Sequence, residues 1–363
     1  MSDNYGGTEA VVYGVYNHLD HSQVQFDFLN VYGHPLAKQS ELEAQGAHVY
    51  GLLLKRREGY FRYAKGIKEF YKQHAGEFDA VVCNVQCLDQ IDMAKWGRKF
   101  GIAKRIVYLH NAGNGIAPSR LAKIAIGWNK RHAQRYVSDF VAISSLASRW
   151  GFGKKQQKQA QIIPNGIAID HFAFSPKDRA DFRQKFSLSE ATLVFGFAGR
   201  FDPQKNPLFL LDIFNAIYLK NPSARFLIAG RGPLERQVRE KAASLACGKA
   251  ITIITDLDDL APFYSAIDAF ILPSLFEGLG LVLVEAQCSG LPCLASEKTI
   301  PEEAQVLPSF KRASLSDTAD QWAEAALELS FDFPREQGTQ FVRKAHYDVV
   351  ETAKAYLELL NHE

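Results

Sequence analysis

Two carboxylates flank a glycine-containing loop late in the chain, within the stretch from Ala269 to Ala295. Glu277 directly precedes Gly278, Gly280 follows, and Glu285 comes eight positions after Glu277. A glycine loop that leads into a helix offers free backbone N–H groups and the positive end of the helix dipole to an anion. Carboxylates on either side can accept hydrogen bonds from hydroxyl groups attached to that anion. These residues therefore predict a site for a phosphate flanked by two polyols, which describes a nucleotide sugar.

A simpler interpretation of the same residues remains open. The aliphatic run Leu281–Val284 could form a core strand, with both glutamates on the surface. Short motifs of this kind occur by chance, so the loop alone does not decide between the two interpretations.

The elements around the loop would position it at the edge of a sheet. The apolar run Ala269–Leu272 predicts a buried parallel strand that ends at Pro273. A helix is predicted over Leu281–Ser289, with Gly290 placed to end it and a further strand beyond.

A second loop, earlier in the chain, carries two cations. The segment Gly199–Asn206 follows the predicted strand Thr192–Ala198 and contains Arg200 and Lys205. A fork-shaped guanidinium and a compact ammonium together suit a pyrophosphate. Taken alone, this segment would be interpreted as an ordinary surface loop.

The wider pattern is two successive series of alternating strands and helices, which indicates α/β domains with parallel sheets. The aperiodic segment from Gly166 to about Lys177 predicts a linker between them. Ligands of such sheets bind outside the carboxyl ends of the strands. The first series has predicted strands at Val24–Val31, Ala47–Leu53, Asp79–Val85, Arg105–Leu109, Phe140–Ile143 and Gln161–Ile163, and helices at Thr8–Leu19, Tyr60–His74, Ile91–Phe100 and Ser119–Val137.

Composition excludes several classes of protein. The chain has 363 residues, 47% of them hydrophobic, and 42 Lys and Arg against 40 Asp and Glu, so the net charge of +2 gives no broad nucleic-acid footprint. Three local basic clusters favour solvated surfaces but leave contact with an anionic membrane open: Lys55–Arg57, Lys130-Arg131, and Lys154-Lys155 with Lys158.

The five cysteines fit reduced thiols in the cytoplasm, and no run reaches transmembrane length. A dehydrogenase fold is disfavoured, because neither Gly278-x-Gly280 nor Gly230-x-Gly232 has the third glycine of the dinucleotide fingerprint.

Together, these segments resemble the retaining glycosyltransferases of family four, which have the GT-B fold. The resemblance covers nearly the whole chain in order, and its context is most similar to bacterial capsular and exopolysaccharide members. The motifs that carry it are G-G-T-E at Gly6–Glu9, L-H-N at Leu109–Asn111, P-N-G-I at Pro164–Ile167, G-R-F-x-x-x-K-N at Gly199–Asn206, A-G-x-G-P-L at Ala229–Leu234 and L-P-S-L-x-E-G-x-x-L-V-x-V-E-A at Leu272–Ala286.

The resemblance implies two Rossmann-like domains that face a cleft. The first spans residues 1–166 and binds the acceptor, with the last helix, 346–363, packing back on it. The second spans 167–345 and binds the donor. The family's activity is transfer of a sugar from a nucleoside diphosphate to an acceptor hydroxyl with retained anomeric configuration, without a metal or other cofactor.

The resemblance also assigns roles to residues. Glu277 would bind donor sugar hydroxyls, Glu285 the ribose, and His110 the sugar near the reacting centre. The alternative for His110 is a structural histidine. The remaining donor contacts would be the cations Arg200 and Lys205, the base-bordering Leu257, the phosphate-binding amides of Gly278, Leu279, Gly280, Leu281 and Val282, and Gly7, which would let the N-terminal loop approach the phosphates. Asp256-x-Asp258 has the spacing of a metal motif but falls where the family has its base-contacting loop.

One departure from the family concerns the start of the chain. The family's first strand, central in its N-terminal sheet, should precede Gly6-Gly7, yet only five residues do. We expect an in-frame apolar strand to be encoded upstream of Met1, and a stop codon there would contradict this.

The sequence leaves two alternatives to the transferase: a nucleotide-sugar 2-epimerase of the same fold, or a truncated and inactive sugar-nucleotide-binding protein. The expected ligands are a UDP- or GDP-type nucleotide sugar and a saccharide or lipid-linked saccharide acceptor. The expected location is the cytoplasm, with contact to the inner face of the membrane left open, and no nucleic-acid partner is expected.

Overall fold

The chain folds into two compact units. The structure, a computed structural model, describes residues 7–31, 35–36, 38–52, 59–89, 91–113 and 119–361. Unit 1 comprises residues 1–166 together with 349–363, and unit 2 comprises 167–348. The sequence places these boundaries at 166 and 345. Gly6 and the basic cluster Lys55–Arg57 lie outside the described residues.

Unit 1 alternates helices and strands from its first described residue. Its helices are α1 (Gly7–His18), α2 (Gln39–Ala44), α3 (Tyr60–His74), α4 (Asp92–Lys99), α5 (Arg120–His132), α6 (Ser145–Gly151) and α7 (Lys154–Gln157), with 3-10 turns at Ala75–Glu77 and Ala133–Arg135. Its strands are β1 (Phe28–Asn30), β2 (Val49–Gly51), β3 (Ala80–Val85), β4 (Lys104–Leu109), β5 (Asp139–Ala142) and β6 (Gln161–Ile162). The sequence overestimates β1 and α5, and it does not predict α6 or α7.

The strands of unit 1 form two separate parallel sheets: β1 pairs with β2, and the other sheet has the order β3-β4-β5-β6. Among the described residues, no strand precedes α1. A cavity of about 470 Å³ is lined by the consecutive residues 80–85 of β3 and by 23–29, which include part of β1. Because side chains alternate between the faces of a strand, lining by consecutive residues means that the cavity lies along strand edges.

Unit 2 contains the second alternating series. Its helices are α8 (Pro176–Lys185), α9 (Pro207–Lys220), α10 (Glu235–Ser244), α11 (Ala261–Ala266), α12 (Leu281–Cys288), α13 (Ala319–Leu327) and α14 (Gly338–Lys344), with 3-10 turns at Pro203–Lys205, Gly248–Ala250, Glu302–Ala304 and Arg335–Gln337. Its strands are β7 (Val194–Ala198), β8 (Arg225–Ala229), β9 (Ile251–Ile254), β10 (Ala269–Leu272), β11 (Cys293–Ser296) and β12 (Phe310–Ala313), of which β12 is not predicted by the sequence.

These six strands form one parallel sheet in the order β12-β11-β10-β7-β8-β9. Strands β7, β10 and β11 are buried along their whole length, as their continuous apolar sequences predict. The order is that of a Rossmann sheet, in which the chain runs outward from β7 in one direction and then from β10 in the other. Ligands of such sheets bind where the order reverses, beyond the carboxyl ends of the two central strands.

The last helix, α15 (Val349–Asn361), belongs to unit 1 and packs against α1. Two of its residues contact the region of the four-stranded sheet: Thr352 donates to the carbonyl of Pro164, just after β6, over 3.1 Å, and the Tyr356 ring lies 5.3 Å from that of Tyr108 in β4. Within the described ranges, no helix combines the length and the apolar character that crossing a bilayer requires.

Candidate functional site

Two of the predicted site residues form an ion pair where the sheet order of unit 2 reverses. Lys205 lies in the loop after β7, and Glu277 lies in the loop after the neighbouring strand β10. The Lys205 Nζ atom is 2.6 Å from Glu277 Oε1. Glu277 is only 5% exposed, and the Lys205 side chain is 15% exposed. The two loops predicted separately from the sequence therefore meet at the ligand-binding edge of the sheet.

The loop after β7 has a fixed conformation that delivers Lys205 to this place. The Asp202 carboxylate accepts from the backbone N–H of Lys205 over 3.2 Å and so caps the 3-10 turn. The backbone N–H of Phe201 donates to the carbonyl of Arg231 over 2.9 Å in the loop after β8. This approach requires glycine at 230, because a Cβ atom there would lie 1.9 Å from the carbonyl oxygen of Gly199.

Glu277 is held in place by a hydrogen bond of its backbone N–H and by the side chain of Gln204. Its N–H donates to the carbonyl of Thr299 over 3.0 Å. The Gln204 amide donates to the carbonyl of Phe276 over 3.1 Å and to Glu277 Oε2 over 3.4 Å. A carboxylate has about four acceptor positions, and Lys205 and Gln204 engage two of them. The Glu277 carboxylate thus keeps the capacity to accept from further hydroxyl groups.

A left-handed glycine begins helix α12 next to this carboxylate. Gly280 has φ 84° and ψ 58°, a conformation that costs an L-residue about 1–2 kcal/mol. It places Leu281 and Val282 in the first turn of the helix, where backbone N–H groups have no acceptor within the helix. Gly278 and Leu279 are buried. The predicted phosphate-binding segment 278–282 therefore has the loop-to-helix geometry that the sequence indicates.

Glu285 lies on α12 and is bonded to a tyrosine from α11. The Tyr264 hydroxyl donates to Glu285 Oε2 over 2.8 Å. Burial raises the pKa of Glu285, while the bond from Tyr264 and the charge of Lys205 act in the opposite direction. Burial next to this carboxylate also raises the pKa of Tyr264 well above its ordinary value, so its hydroxyl stays protonated.

The remaining predicted residues of unit 2 lie in loops at the same edge of the sheet. Arg200 follows β7, its side chain is 68% exposed, and its guanidinium lies 3.8 Å from the carboxylate of Asp202. Leu257 is partly buried in the loop after β9. In the same loop, the exposed Asp256 pairs with Arg231 at 3.4 Å. Across the described ranges, no group of three or more His, Cys, Asp or Glu is arranged to hold a metal ion.

Of the two residues predicted in unit 1, His110 lies at the end of a strand and Gly7 lies at the start of helix α1. His110 follows β4, is 7% exposed and has Nε2 2.8 Å from the Asn84 amide oxygen near the end of β3. Burial lowers the pKa of His110 to about 3, so the ring is neutral, with its proton on Nε2. At the start of α1, the residue after Gly7 is tied to the same region, because Gln86 donates to the Thr8 hydroxyl over 3.1 Å.

Sequence reasoning missed the side chains that hold these residues in place. Gln204 occupies an unspecified position of the Gly199–Asn206 motif, so only its spacing from Lys205 could have pointed to it. Tyr264 and Asn84 have no signal in the sequence, because each meets its partner on a different element: Tyr264 of α11 bonds to Glu285 of α12, and Asn84 of β3 bonds to His110 after β4.

Comparison with known proteins places this geometry in context. Among solved structures, the chain resembles HepE from Anabaena, described in complex with UDP and glucose, with a TM-score of 0.78 and 17% identity over 99% of this chain and 96% of that one. This likeness concerns the fold. The protein has the GT-B fold, with two Rossmann-like domains built on parallel sheets.

Sequence comparison gives a narrower relationship. Residues 192–332, within unit 2, match the family model described as "Glycosyl transferases group 1". The chain is 27% identical over 364 aligned residues to a protein named "Putative glycosyltransferase EpsF" from Bacillus subtilis, covering 99% of this chain and 94% of that protein. It is 34% identical over 139 residues to the "UDP-Gal:alpha-D-GlcNAc-diphosphoundecaprenol alpha-1,3-galactosyltransferase" of Escherichia coli, covering 37% of this chain and 36% of that protein. Unit 2 is thus a domain of the group 1 glycosyltransferase type.

Proposed function

We propose that this protein is a retaining glycosyltransferase that moves a sugar from a nucleoside diphosphate to an acceptor hydroxyl in the synthesis of a polysaccharide or glycoconjugate. The observation that carries the proposal is the Lys205–Glu277 pair beside the N-terminus of α12, at the reversal point of a Rossmann sheet. The group 1 match over residues 192–332 supports it, as do the names of the relatives.

The phosphates are the part of the donor that unit 2 suits most directly. Backbone N–H groups in the first turn of α12 and the helix dipole favour an anion. Lys205 is held at the same edge, and Arg200 extends from the loop after β7 with most of its guanidinium free to water. In the proposed reaction these cations stabilise the charge that grows on the diphosphate as it departs, so no metal ion is required.

The two carboxylates suit the sugars on either side of the phosphates. Glu277 is fixed by Lys205 and Gln204 yet keeps acceptor capacity, so we assign it to hydroxyls of the transferred sugar. Glu285, oriented by Tyr264, is assigned to the ribose. Leu257 is assigned to the edge of the base, because it offers an apolar surface in the loop after β9.

In the proposed reaction, the bond between the sugar's anomeric carbon and the diphosphate oxygen breaks, and a bond from that carbon to the acceptor oxygen forms on the same face. The acceptor's proton passes to the departing phosphate, so no side chain needs to act as a covalent nucleophile. His110, neutral and buried, is assigned a contact with the sugar rather than a role as a base. Gly7 is assigned to the approach of the N-terminal loop to the phosphates. The donor is of the UDP or GDP type, and the acceptor is a saccharide or a lipid-linked saccharide.

Binding and transfer measurements with full-length protein test the proposal. Thermal unfolding with UDP-, GDP- and ADP-sugars, followed by calorimetry, should identify one nucleotide class that binds. Incubation with that donor and saccharide or lipid-diphosphate acceptors should give a product whose anomeric configuration, read by NMR, equals that of the donor. Inversion of configuration would contradict the mechanism. Conversion of the donor sugar without an acceptor would favour an epimerase, and binding without any turnover would favour a binding protein.

A further inference from the structure

Helix α5 of unit 1 carries three large apolar side chains that face solvent. Leu121 is 79% exposed, Ile124 is 68% exposed and Trp128 is 56% exposed. The positions i, i+3 and i+7 fall within about 60° of the helix circumference at 3.6 residues per turn. A contiguous exposed apolar stripe of this kind marks an interaction surface, whereas single exposed residues need no explanation.

The helix is also basic, without any opposing charge of its own. Arg120, Lys123 and Arg131 are exposed beside the stripe, and the sequence of α5 contains no Asp or Glu. The Ser119 side chain caps the helix by accepting from the backbone N–H of Ala122 over 3.2 Å. An apolar stripe next to a row of Lys and Arg is the pattern of a helix that lies in the interface of a membrane.

Further lysines lie at the C-terminal end of α5. The segment that contains α7 is held beside α5 by two bonds: Lys130 Nζ donates to the carbonyl of Trp150, in α6, over 2.6 Å, and the amide of Gln134, just after α5, donates to Gln159, just after α7, over 3.3 Å. Three residues of this neighbouring segment are exposed: Lys154, Lys155 and Lys158. In the described parts of the chain, none of the exposed basic residues of α5 and α7 forms an ion pair with a carboxylate.

The positive charge is concentrated in this region of the sequence. The segment from Met93 to Ile169 contains fourteen of the chain's 42 Lys and Arg residues but only one of its 40 Asp and Glu residues, Asp139. The net charge of +2 is therefore the sum of +13 in this segment and −11 in the rest of the chain. Such an asymmetry creates a field that attracts anionic surfaces and orients the protein toward them.

We propose that this α5 surface, formed by Leu121, Ile124 and Trp128 with the basic residues of α5 and α7, docks on an anionic lipid bilayer. The stripe enters the boundary between headgroups and acyl chains, where an indole ring is favoured, and the lysines and arginines meet the lipid phosphates. None of these residues belongs to the site in unit 2, so membrane docking can be tested separately from the transferase activity.

Two other occupants fit the surface less well. A nucleic acid would satisfy the basic residues but would leave the aliphatic side chains Leu121 and Ile124 in water. A second copy of the chain would need a much larger patch, because a stable interface buries about 800 Å² on each partner. Both occupants are outcomes of the test.

The test is cosedimentation of the full chain with vesicles of phosphatidylcholine alone or mixed with phosphatidylglycerol. We expect binding only to the mixed vesicles and weakening with added salt. Leu121→Ser/Ile124→Ser/Trp128→Ser should abolish binding. Lys123→Gln/Arg131→Gln should weaken it about 25-fold, since each charge is worth about fivefold near such a surface. Leu219→Ser, which changes a leucine on α9 of unit 2 that is 65% exposed, is the control.

Fluorescence assigns the contact to the helix itself. Vesicles should shift the tryptophan emission to shorter wavelength, and Trp128→Phe should remove most of that shift while preserving sedimentation. All α5 variants should keep nucleotide-sugar binding and the wild-type melting temperature. The proposal is overturned if wild type ignores anionic vesicles, if the triple Ser variant binds as wild type does, if an oligonucleotide binds more tightly than the vesicles, or if light scattering shows a dimer that the triple variant dissociates.

Discussion

Lys205 and Glu277 are separated by 72 positions in the sequence, yet the ammonium of one lies 2.6 Å from the carboxylate of the other. The pair joins the loops that follow the two central strands of the unit 2 sheet, β7 and β10. Each residue is largely buried, so each depends on the other for its charge to be tolerated. The ion pair therefore positions a cation and a carboxylate side by side before any ligand arrives.

Substitution of Glu277 should separate its role in transfer from its role in folding. Glu277→Gln keeps an acceptor for Lys205 but loses the negative charge, so kcat/KM should fall about 10–100-fold, while the melting temperature should fall less than it does in Glu277→Ala. Glu277→Ala leaves the lysine buried without a partner and should also lower the free energy of unfolding, by about 2–4 kcal/mol.

The double variant Lys205→Ala/Glu277→Ala completes a thermodynamic cycle for this pair. Because the second substitution removes the unpaired charge left by the first, the double variant should be more stable than the sum of the single effects predicts. Additive losses of stability, or a Glu277→Gln enzyme with wild-type turnover, would contradict the assignment.

The Lys205–Glu277 pair shows which features of the site the sequence predicts and which it does not. Each loop was predicted separately, from a buried strand followed by glycine and charged residues, because both signals are local. The direct bond between Lys205 and Glu277 was not predicted, since it depends on β7 and β10 being neighbours in the sheet. Gln204 was missed for the same reason, and Tyr264 was missed because its partner is set by the packing of α11 against α12; periodicity encodes neither.

In unit 1, the order of helices and strands was predicted better than the way the strands pair. The alternation of elements was predicted, but its division into a two-stranded and a four-stranded sheet was not. Strand pairing joins distant segments, and nothing in the sequence of β1 or β3 states that their facing edges border a cavity. The apolar face of α5 was also missed, because Leu121, Ile124 and Trp128 have the spacing of an ordinary core-facing stripe.

Arg200 should contribute to donor binding without contributing to stability. Its side chain is mostly exposed and its contact with Asp202 is long, so Arg200→Ala should leave the melting temperature unchanged. Loss of a charge-assisted bond to the diphosphate should weaken binding about 10–100-fold by calorimetry. Arg236→Ala, an exposed arginine on α10, is the control and should bind as wild type does. Equal affinities for all three proteins would remove Arg200 from the site.

Two glycines should respond differently to alanine. Gly280→Ala forces an L-residue into φ 84° and brings a methyl group 3.3 Å from Leu283 Cδ1, so it should destabilise the protein by about 1–2 kcal/mol. Gly7→Ala meets no heavy atom within 4 Å and should not lower the melting temperature. If the N-terminal loop approaches the donor phosphates, Gly7→Ala should still raise KM. Normal kinetics in this variant would exclude Gly7 from the donor contacts.

The bond from Tyr264 should control the pH dependence of donor binding through Glu285. Only the ionised carboxylate accepts two ribose hydroxyls, so affinity should fall as the pH drops through the raised pKa of Glu285. Tyr264→Phe removes a donor to the charged form, which raises that pKa further and should move the midpoint of the affinity curve to higher pH. Tyr347→Phe, which removes a buried hydroxyl bonded to the carbonyl of Glu303, is the control and should leave the midpoint in place. A midpoint that moves to lower pH in Tyr264→Phe would contradict the assignment.

His110 should make unit 1 less stable in mild acid. Its pKa is about 3 in the folded protein, below the value of about 6.5 in an unfolded chain. Between these values the unfolded chain binds a proton that the folded chain excludes, so the free energy of unfolding falls as the pH drops below about 6.5. The loss at pH 5 should be about 2 kcal/mol, at 1.36 kcal/mol for each pH unit. Hydrogen exchange of the β4 backbone, corrected for the pH dependence of intrinsic exchange, measures this in unit 1. His110→Asn should reduce the difference in the free energy of unfolding between pH 7 and pH 5 by that amount, whereas the control His18→Asn, at an exposed site, should leave it unchanged. An NMR titration of the His110 ring with a midpoint near 6.5 would contradict the prediction, because it would show that the imidazole is not held neutral.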